Sequence, residues 1–91
     1  MSVSVRVPTI LRNYTGGAAE VSAEAGTLRE VLAELDASYP GIAGRILDGS
    51  GHIRRFVNVY VGDEDVRFAE GLDTAVPAGA KVSVIPAVAG G

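Results

Sequence analysis

Apolar and polar residues alternate strictly from Ser2 to Val7, with Val3, Val5 and Val7 on one side and Ser2, Ser4 and Arg6 on the other. A period of two predicts a half-buried strand, and Pro8, which has no N–H to extend a ladder, ends it. Ile10, Leu11 and Tyr14 follow, then Thr15-Gly16-Gly17 reads as a turn. Glu20 to Ala23 returns as a second strand, antiparallel to the first. After Thr27 the period changes. Leu28, Val31, Leu32 and Leu35 recur at i, i+3, i+4 and i+7, which is one face of a helix. Thr27-Leu28-Arg29-Glu30 opens that helix with a capping box: the Thr hydroxyl accepts from the Glu30 amide while the Glu30 carboxylate reaches back to the Thr27 N–H. Pro40-Gly41 stops it. Ile42 to Leu47 predicts a further short turn of helix, with Ile42, Ile46 and Leu47 closing one end of the core.

Beyond the Gly49-Ser50-Gly51 loop, the pattern predicts the strongest strand over Ile53 to Val61. There Val57, Val59 and Val61 alternate against Phe56, Asn58 and Tyr60. Gly62-Asp63-Glu64-Asp65 reads as a hairpin turn and Val66-Arg67-Phe68 as a short return strand. Leu72 to Val76 fits neither period, and Pro77-Ala78-Gly79 is a turn. Lys81 to Pro86 is the last strand, with Val82 and Val84 facing inward and Ile85 outward. The order is β-β-α-β-β-β, an α+β roll in which one helix packs across a mixed sheet. The domain is expected to span residues 1–86, followed by a flexible tail over 87–91.

Composition narrows the chemistry. A length of 91 residues fits one small domain and leaves no room for a separate cofactor domain. The absence of Cys removes disulfides, thiolate metal sites and cysteine nucleophiles together. His52, the single His, cannot build a His-rich metal site. With 8 basic and 11 acidic residues the net charge is −3, which gives no electrostatic reason to approach nucleic acid or an anionic membrane. No secretory leader is visible, and no window approaches the ~20 apolar residues that span a bilayer. The expected location is the cytoplasm. Asn13-Tyr14-Thr15 reads as a polar turn rather than a used glycosylation site. The acidic run Asp63-Glu64-Asp65 cannot turn all three carboxylates on one ion and reads as a solvated hairpin tip. No residue is nominated as catalytic or as a metal ligand. Phe56 and Tyr60, on the face opposite Val57 and Val59, and Ile85, facing away from Val82 and Val84, form a candidate partner surface.

The chain finishes Pro86-Ala87-Val88-Ala89-Gly90-Gly91, a run without a charge or a large side chain. Fully extended, 87–91 reaches ~17 Å. Two glycines carry no Cβ, so a narrow channel in another protein can admit the backbone. The chemical group at the tip is the α-carboxylate, ionised at neutral pH because its reference pKa is ~3.5. An ionised carboxylate is a poor acyl donor, so chemistry there requires activation.

Four stretches carry a family resemblance: Val7-Pro8-Thr9-Ile10-Leu11-Arg12, Arg54-Arg55-Phe56-Val57-Asn58-Val59-Tyr60-Val61, Asp63-Glu64-Asp65-Val66-Arg67-Phe68 and Ile85-Pro86-Ala87-Val88-Ala89-Gly90-Gly91. With the element order, they resemble the ubiquitin-like sulfur carriers of the MoaD and ThiS type, and within these the branch that serves cysteine synthesis. The resemblance covers essentially the whole chain, although the loop before the third strand is shorter here.

It implies a β-grasp fold and a cycle centred on Gly91. An activating enzyme adenylates the Gly91 carboxylate with ATP, and sulfide or a sulfurtransferase then converts it to a thiocarboxylate. Val88, Ala89, Gly90 and Gly91 thread into partner active sites. The sulfur passes to a pyridoxal-phosphate cysteine synthase that uses phosphoserine, and a zinc metallopeptidase releases the cysteine. ATP, pyridoxal phosphate and zinc belong to those partners; the carrier itself binds no cofactor and is not an enzyme. A thiocarboxylate is ionised and nucleophilic without a neighbouring base, so no catalytic triad is needed. The family's use of this sheet face for its activating enzyme points to Phe56, Tyr60 and Ile85 as contacts. Two other readings stand beside this one: a protein modifier joined through Gly91 to lysines, and a β-grasp binding module whose tail is incidental.

Overall fold

In the computed structural model, which describes residues 2–86, the N-terminal alternation is strand β1 (Ser2–Arg6). Val3, Val5 and Val7 are buried, as the period of two requires. The next segment is more structured than a plain connection. Thr9–Thr15 is a 3-10 helix that starts after extended Pro8, and it buries Leu11 and Thr15. The buried Thr15 hydroxyl lies 3.1 Å from the Arg12 carbonyl and 2.9 Å from that of Ala18, so it is not left unpaired. Ile10, Leu11 and Tyr14 are too few to show a period, which is why the pattern alone does not reveal this helix. Strand β2 (Glu20–Glu24) then runs antiparallel to β1, with Val5 opposite Val21 and Arg6 opposite Glu20.

After the two-residue β3 (Gly26–Thr27) comes α1 (Leu28–Ser38). Its capping box is formed at both ends: the Glu30 N–H donates to Thr27 Oγ1 at 3.2 Å, and the Thr27 N–H donates to Glu30 Oε1 at 2.9 Å. Gly26 makes room for this, because a Cβ there would lie 2.6 Å from Glu30 Oε1. Leu28, Val31, Leu32 and Leu35 are all buried, the predicted stripe. At the other end Asp36 Oδ1 accepts the N–H groups of Gly41 and Ala43. Gly41 has φ +97° and would set a Cβ 3.0 Å from the Tyr14 ring, so both backbone and packing favour glycine. The single turn α2 (Ala43–Ile46) follows; Ile42 and Ile46 are buried and Leu47 is half-buried.

Two expectations are corrected in the second half. The long strand expected over Ile53 to Val61 is only β4 (Val57–Val61). Ile53 makes an isolated bridge with Leu47, and 54–56 turns, with the Val57 N–H on the Arg54 carbonyl at 3.0 Å. The carbonyls of Arg54, Arg55 and Val57 are taken by the Arg67 guanidinium instead of a neighbouring strand. Val66–Phe68 is a 3-10 helix, not a return strand. The return strand is β5 (Glu64–Asp65), joined to β4 across Gly62 and Asp63. The Asp65 carboxylate then accepts the Arg67 N–H at 2.9 Å and turns the chain, which drives Val66 into the core and leaves Phe68 exposed. A further 3-10 helix covers Gly71–Asp73. Strand β6 (Ala75–Val76), in the segment that fitted neither period, pairs with β3 in a small second sheet. Strand β7 (Lys81–Pro86) has the predicted bounds, with Val82 and Val84 buried.

The main sheet has the order β2-β1-β7-β4-β5. The β1–β7 pair is parallel and its neighbours are antiparallel, which is the mixed α+β roll expected. The inner valines of the sheet meet the leucine stripe of α1 in a core closed by Ile42, Ile46 and Val66. Among the described residues no helix is long and apolar enough to cross a membrane.

Candidate functional site

Parallel pairing of β7 beside β1 decides where the described part of the chain finishes. Strand β7 lies in the centre of the sheet, and its last residue, Pro86, stands opposite Val57 at the start of β4. The tail residues Val88, Ala89, Gly90 and Gly91, the predicted seat of chemistry, lie outside the described residues, as does the whole of the proposed 87–91 tail. What the structure supplies is the ground around its root.

The outer face of the sheet follows from the register. Glu20, Arg6, Ser83, Tyr60 and Asp65 stand in one row across five strands, and Asn58 and Ile85 stand in the next. Ile85 is 47% exposed and Tyr60 is half-buried, two residues apart on the diagonal of neighbouring strands. Phe56 does not share that strand face. It sits on the turn before β4, 52% exposed, with the Arg55 guanidinium 5.7 Å from its ring centroid. The turn is held by Arg67, whose Nη2 reaches the carbonyl oxygens of Val57 (2.6 Å), Arg54 (2.8 Å) and Arg55 (3.1 Å) while Nη1 meets Asn58 Oδ1. Arg67 therefore fixes the position of Phe56 from a distant point in the chain.

Sequence reasoning singled out neither Arg67 nor Ile10. Ile10 is 65% exposed on the 3-10 helix and lines a groove of about 550 Å³ with Pro8, Arg6, Arg12, Ile85 and Pro86. The signal for it was an apolar residue just after a proline, which a strand-and-helix reading passes over. Arg12 is steered into place by its Nε, which donates to the Val7 carbonyl at 3.1 Å.

The titratable groups nearby are structural in their bonding. Hydrogen bonding from Lys81 lowers the pKa of Glu20, helped by the charge of Lys81 and by the Ser4 hydroxyl. Backbone N–H groups of His52 and Ser50 hold the Asp48 carboxyl below its ordinary value. His52 is exposed beside this loop. Among the described residues no group of three or more His, Cys, Asp or Glu side chains is arranged to hold a metal ion. The surface offers apolar contacts and oriented arginines around Pro86. Such a surface suits contact with another protein.

Comparison with known proteins gives the same picture. The model of the ThiS family matches residues 5–91. The chain is 54% identical over 93 aligned positions to the sulfur carrier protein CysO of Mycobacterium tuberculosis, with the whole of both chains covered. A crystal structure of that protein superposes with a TM-score of 0.91, covering 94% of this chain and 99% of the other. A chain in the crystal structure of an Amycolatopsis orientalis BexX/CysO complex matches equally well, with a TM-score of 0.91 at 44% identity, covering 98% of this chain and 99% of that one. The small archaeal modifier protein 3 of Haloferax volcanii is 42% identical over 65 positions, 71% of this chain and 70% of its own length. The fold is thus the ubiquitin-like β-grasp.

Proposed function

The chain belongs to the ThiS family, and from that premise we propose that it is a sulfur carrier for cysteine biosynthesis, with its Gly91 carboxylate as the attachment point. It is a small carrier rather than an enzyme. One observation supports this reading above the rest: identity of 54% to a sulfur carrier runs through the whole of both chains, not through a shared core alone.

The chemistry required is that of a carboxylate made reactive elsewhere. In an adenylating partner, a Gly91 carboxylate oxygen attacks the α-phosphate of ATP, forming the acyl-adenylate and displacing pyrophosphate. Sulfide displaces AMP and leaves the thiocarboxylate. The soft, ionised sulfur then serves as the nucleophile delivered to a cysteine synthase, and a metallopeptidase frees the product. ATP, pyridoxal phosphate and zinc act in those partners. This chain contributes a recognisable domain and an extended handle. The availability of ATP places such a cycle in the cytoplasm.

The likeness to a small archaeal modifier protein supports a second reading, in which the activated Gly91 is joined to lysines of other proteins. Reconstitution separates the two. Incubated with an adenylating enzyme, ATP, sulfide, a phosphoserine-using cysteine synthase and phosphoserine, the carrier is expected to gain the mass of one cysteine residue. Attachment to other proteins without that gain would favour the modifier.

A further inference from the structure

We propose that the end of the domain surrounding the tail root is a basic docking collar, fitted to partners whose tail-receiving channel has an acidic rim. The proposal rests on the carrier reading, since it assumes that a partner receives the tail.

Three shallow grooves meet at this end of the molecule. The first holds Arg6, Arg12, Ile10, Ile85 and Pro86. The second shares Ile10 with it and adds Arg45 and Arg54. The third shares Arg54 and adds Arg55, Phe56 and Val57. Val57 is the register partner of Pro86, so the series closes on itself around the residue from which the tail leaves.

Five of the chain's eight basic residues lie in that ring, in a protein whose net charge is −3. Their bonds go to neutral groups. Arg12 donates to the Val7 carbonyl, Arg45 to the Tyr14 hydroxyl and Arg54 twice to the Gly44 carbonyl, while Arg55 lies over the Phe56 ring. All these partners are neutral. Among the described residues the basic side chains in ion pairs are Arg29 and Lys81, both outside the ring. Two carboxylates border the collar: Glu20, across the ladder from Arg6, pairs with Lys81 and also feels the charge of Arg6, and Asp48, in the third groove, is bonded to backbone N–H groups and also feels the charge of Arg54. Positive charge therefore remains in excess. Guanidinium groups held in place by neutral acceptors keep their charge and lose little freedom on binding. Exposed Ile10, Phe56 and Ile85 lie among them, giving the mixture of apolar centre and charged margin that suits a protein contact. A complementary acidic rim would steer the carrier tail-first into the channel.

The test is the KM of an adenylating enzyme for the carrier, measured with ATP and sulfide at several salt concentrations. Arg55→Glu and Arg6→Glu remove no hydrogen bond among the described residues, and thermal melts check that each folds. Each is expected to raise KM roughly tenfold at low salt with kcat retained, and the difference should shrink as salt is added. Lys81→Glu makes the same change in net charge at the far end of β7, roughly 17 Å from Pro86, and should leave KM unchanged. Wild-type KM should itself rise with salt. Loading of both arginine variants at the wild-type KM, a wild-type KM indifferent to salt, or an equal effect from Lys81→Glu would overturn the collar. Failure of the wild type to be loaded at all would overturn the carrier reading, and the collar with it.

Discussion

Thr27 illustrates how much one side chain does in a domain of this size. Its hydroxyl and amide close the capping box with Glu30 at the point where β3 turns into α1. Thr27→Ala is expected to cost about 1 kcal/mol of stability, readable as a lowered denaturant midpoint at constant slope. Gly26→Ala should lose part of the same energy by pushing the Glu30 carboxylate aside. The capping box was legible because its spacing is local. The Glu20–Lys81 pair, at 3.3 Å, was not, since its partners come from β2 and β7. Its effect has a definite sign. Glu20 has a folded pKa below its ordinary 4.5, so the unfolded chain binds more protons and stability rises with pH. That contribution is complete above about 4.5 and is lost as pH falls through the lower folded value. Following the Glu20 carboxyl by NMR, Lys81→Gln should move its midpoint upward.

Elements formed as their periods predict wherever the period had room to show itself. α1 and the strands β1 and β7 are the clear cases: four buried positions at helical spacing, and valines at alternate positions facing one core. The failures share a cause. Ile53 to Phe56 leads directly into the alternating valines, but the carbonyls of Arg54 and Arg55 are claimed by Arg67, which arrives from beyond β5. Val66 to Phe68 turns because Asp65 caps it. In both places a side chain bonding to backbone replaces a ladder, and alternation cannot report that. Arg67→Met should therefore loosen the 54–57 turn: about 1–3 kcal/mol of stability lost, with faster amide exchange at Val57. Fast exchange confined to other segments would show that Arg67 does not hold this turn.

At the scale of the whole molecule, the proposed chemistry lies outside the part of the chain that the described fold occupies. Among the described residues the buried apolar core runs from Val3 to Val84. The fold class was legible because the β-β-α-β-β-β order and its right inner faces could be read directly. The proposed partner surface was legible only in part: Tyr60 and Ile85 project from the outer face, but Phe56 belongs to a turn, and the arginines around Pro86 come together only when distant elements pack. If, as proposed, Gly91 serves partner enzymes and not the core, the chain without it should melt within a degree or two of the full-length protein, a change of about ±0.5 kcal/mol. It should also no longer be loaded with sulfur. The central claim, that sulfur is carried on the terminal carbonyl, is tested most directly by fragment-resolved intact-mass measurement after incubation with an adenylating enzyme, ATP and sulfide. The predicted result is replacement of one oxygen by one sulfur, confined to Gly91 and absent from the chain lacking it. An unchanged Gly91, or sulfur retained on the shortened chain, would contradict it.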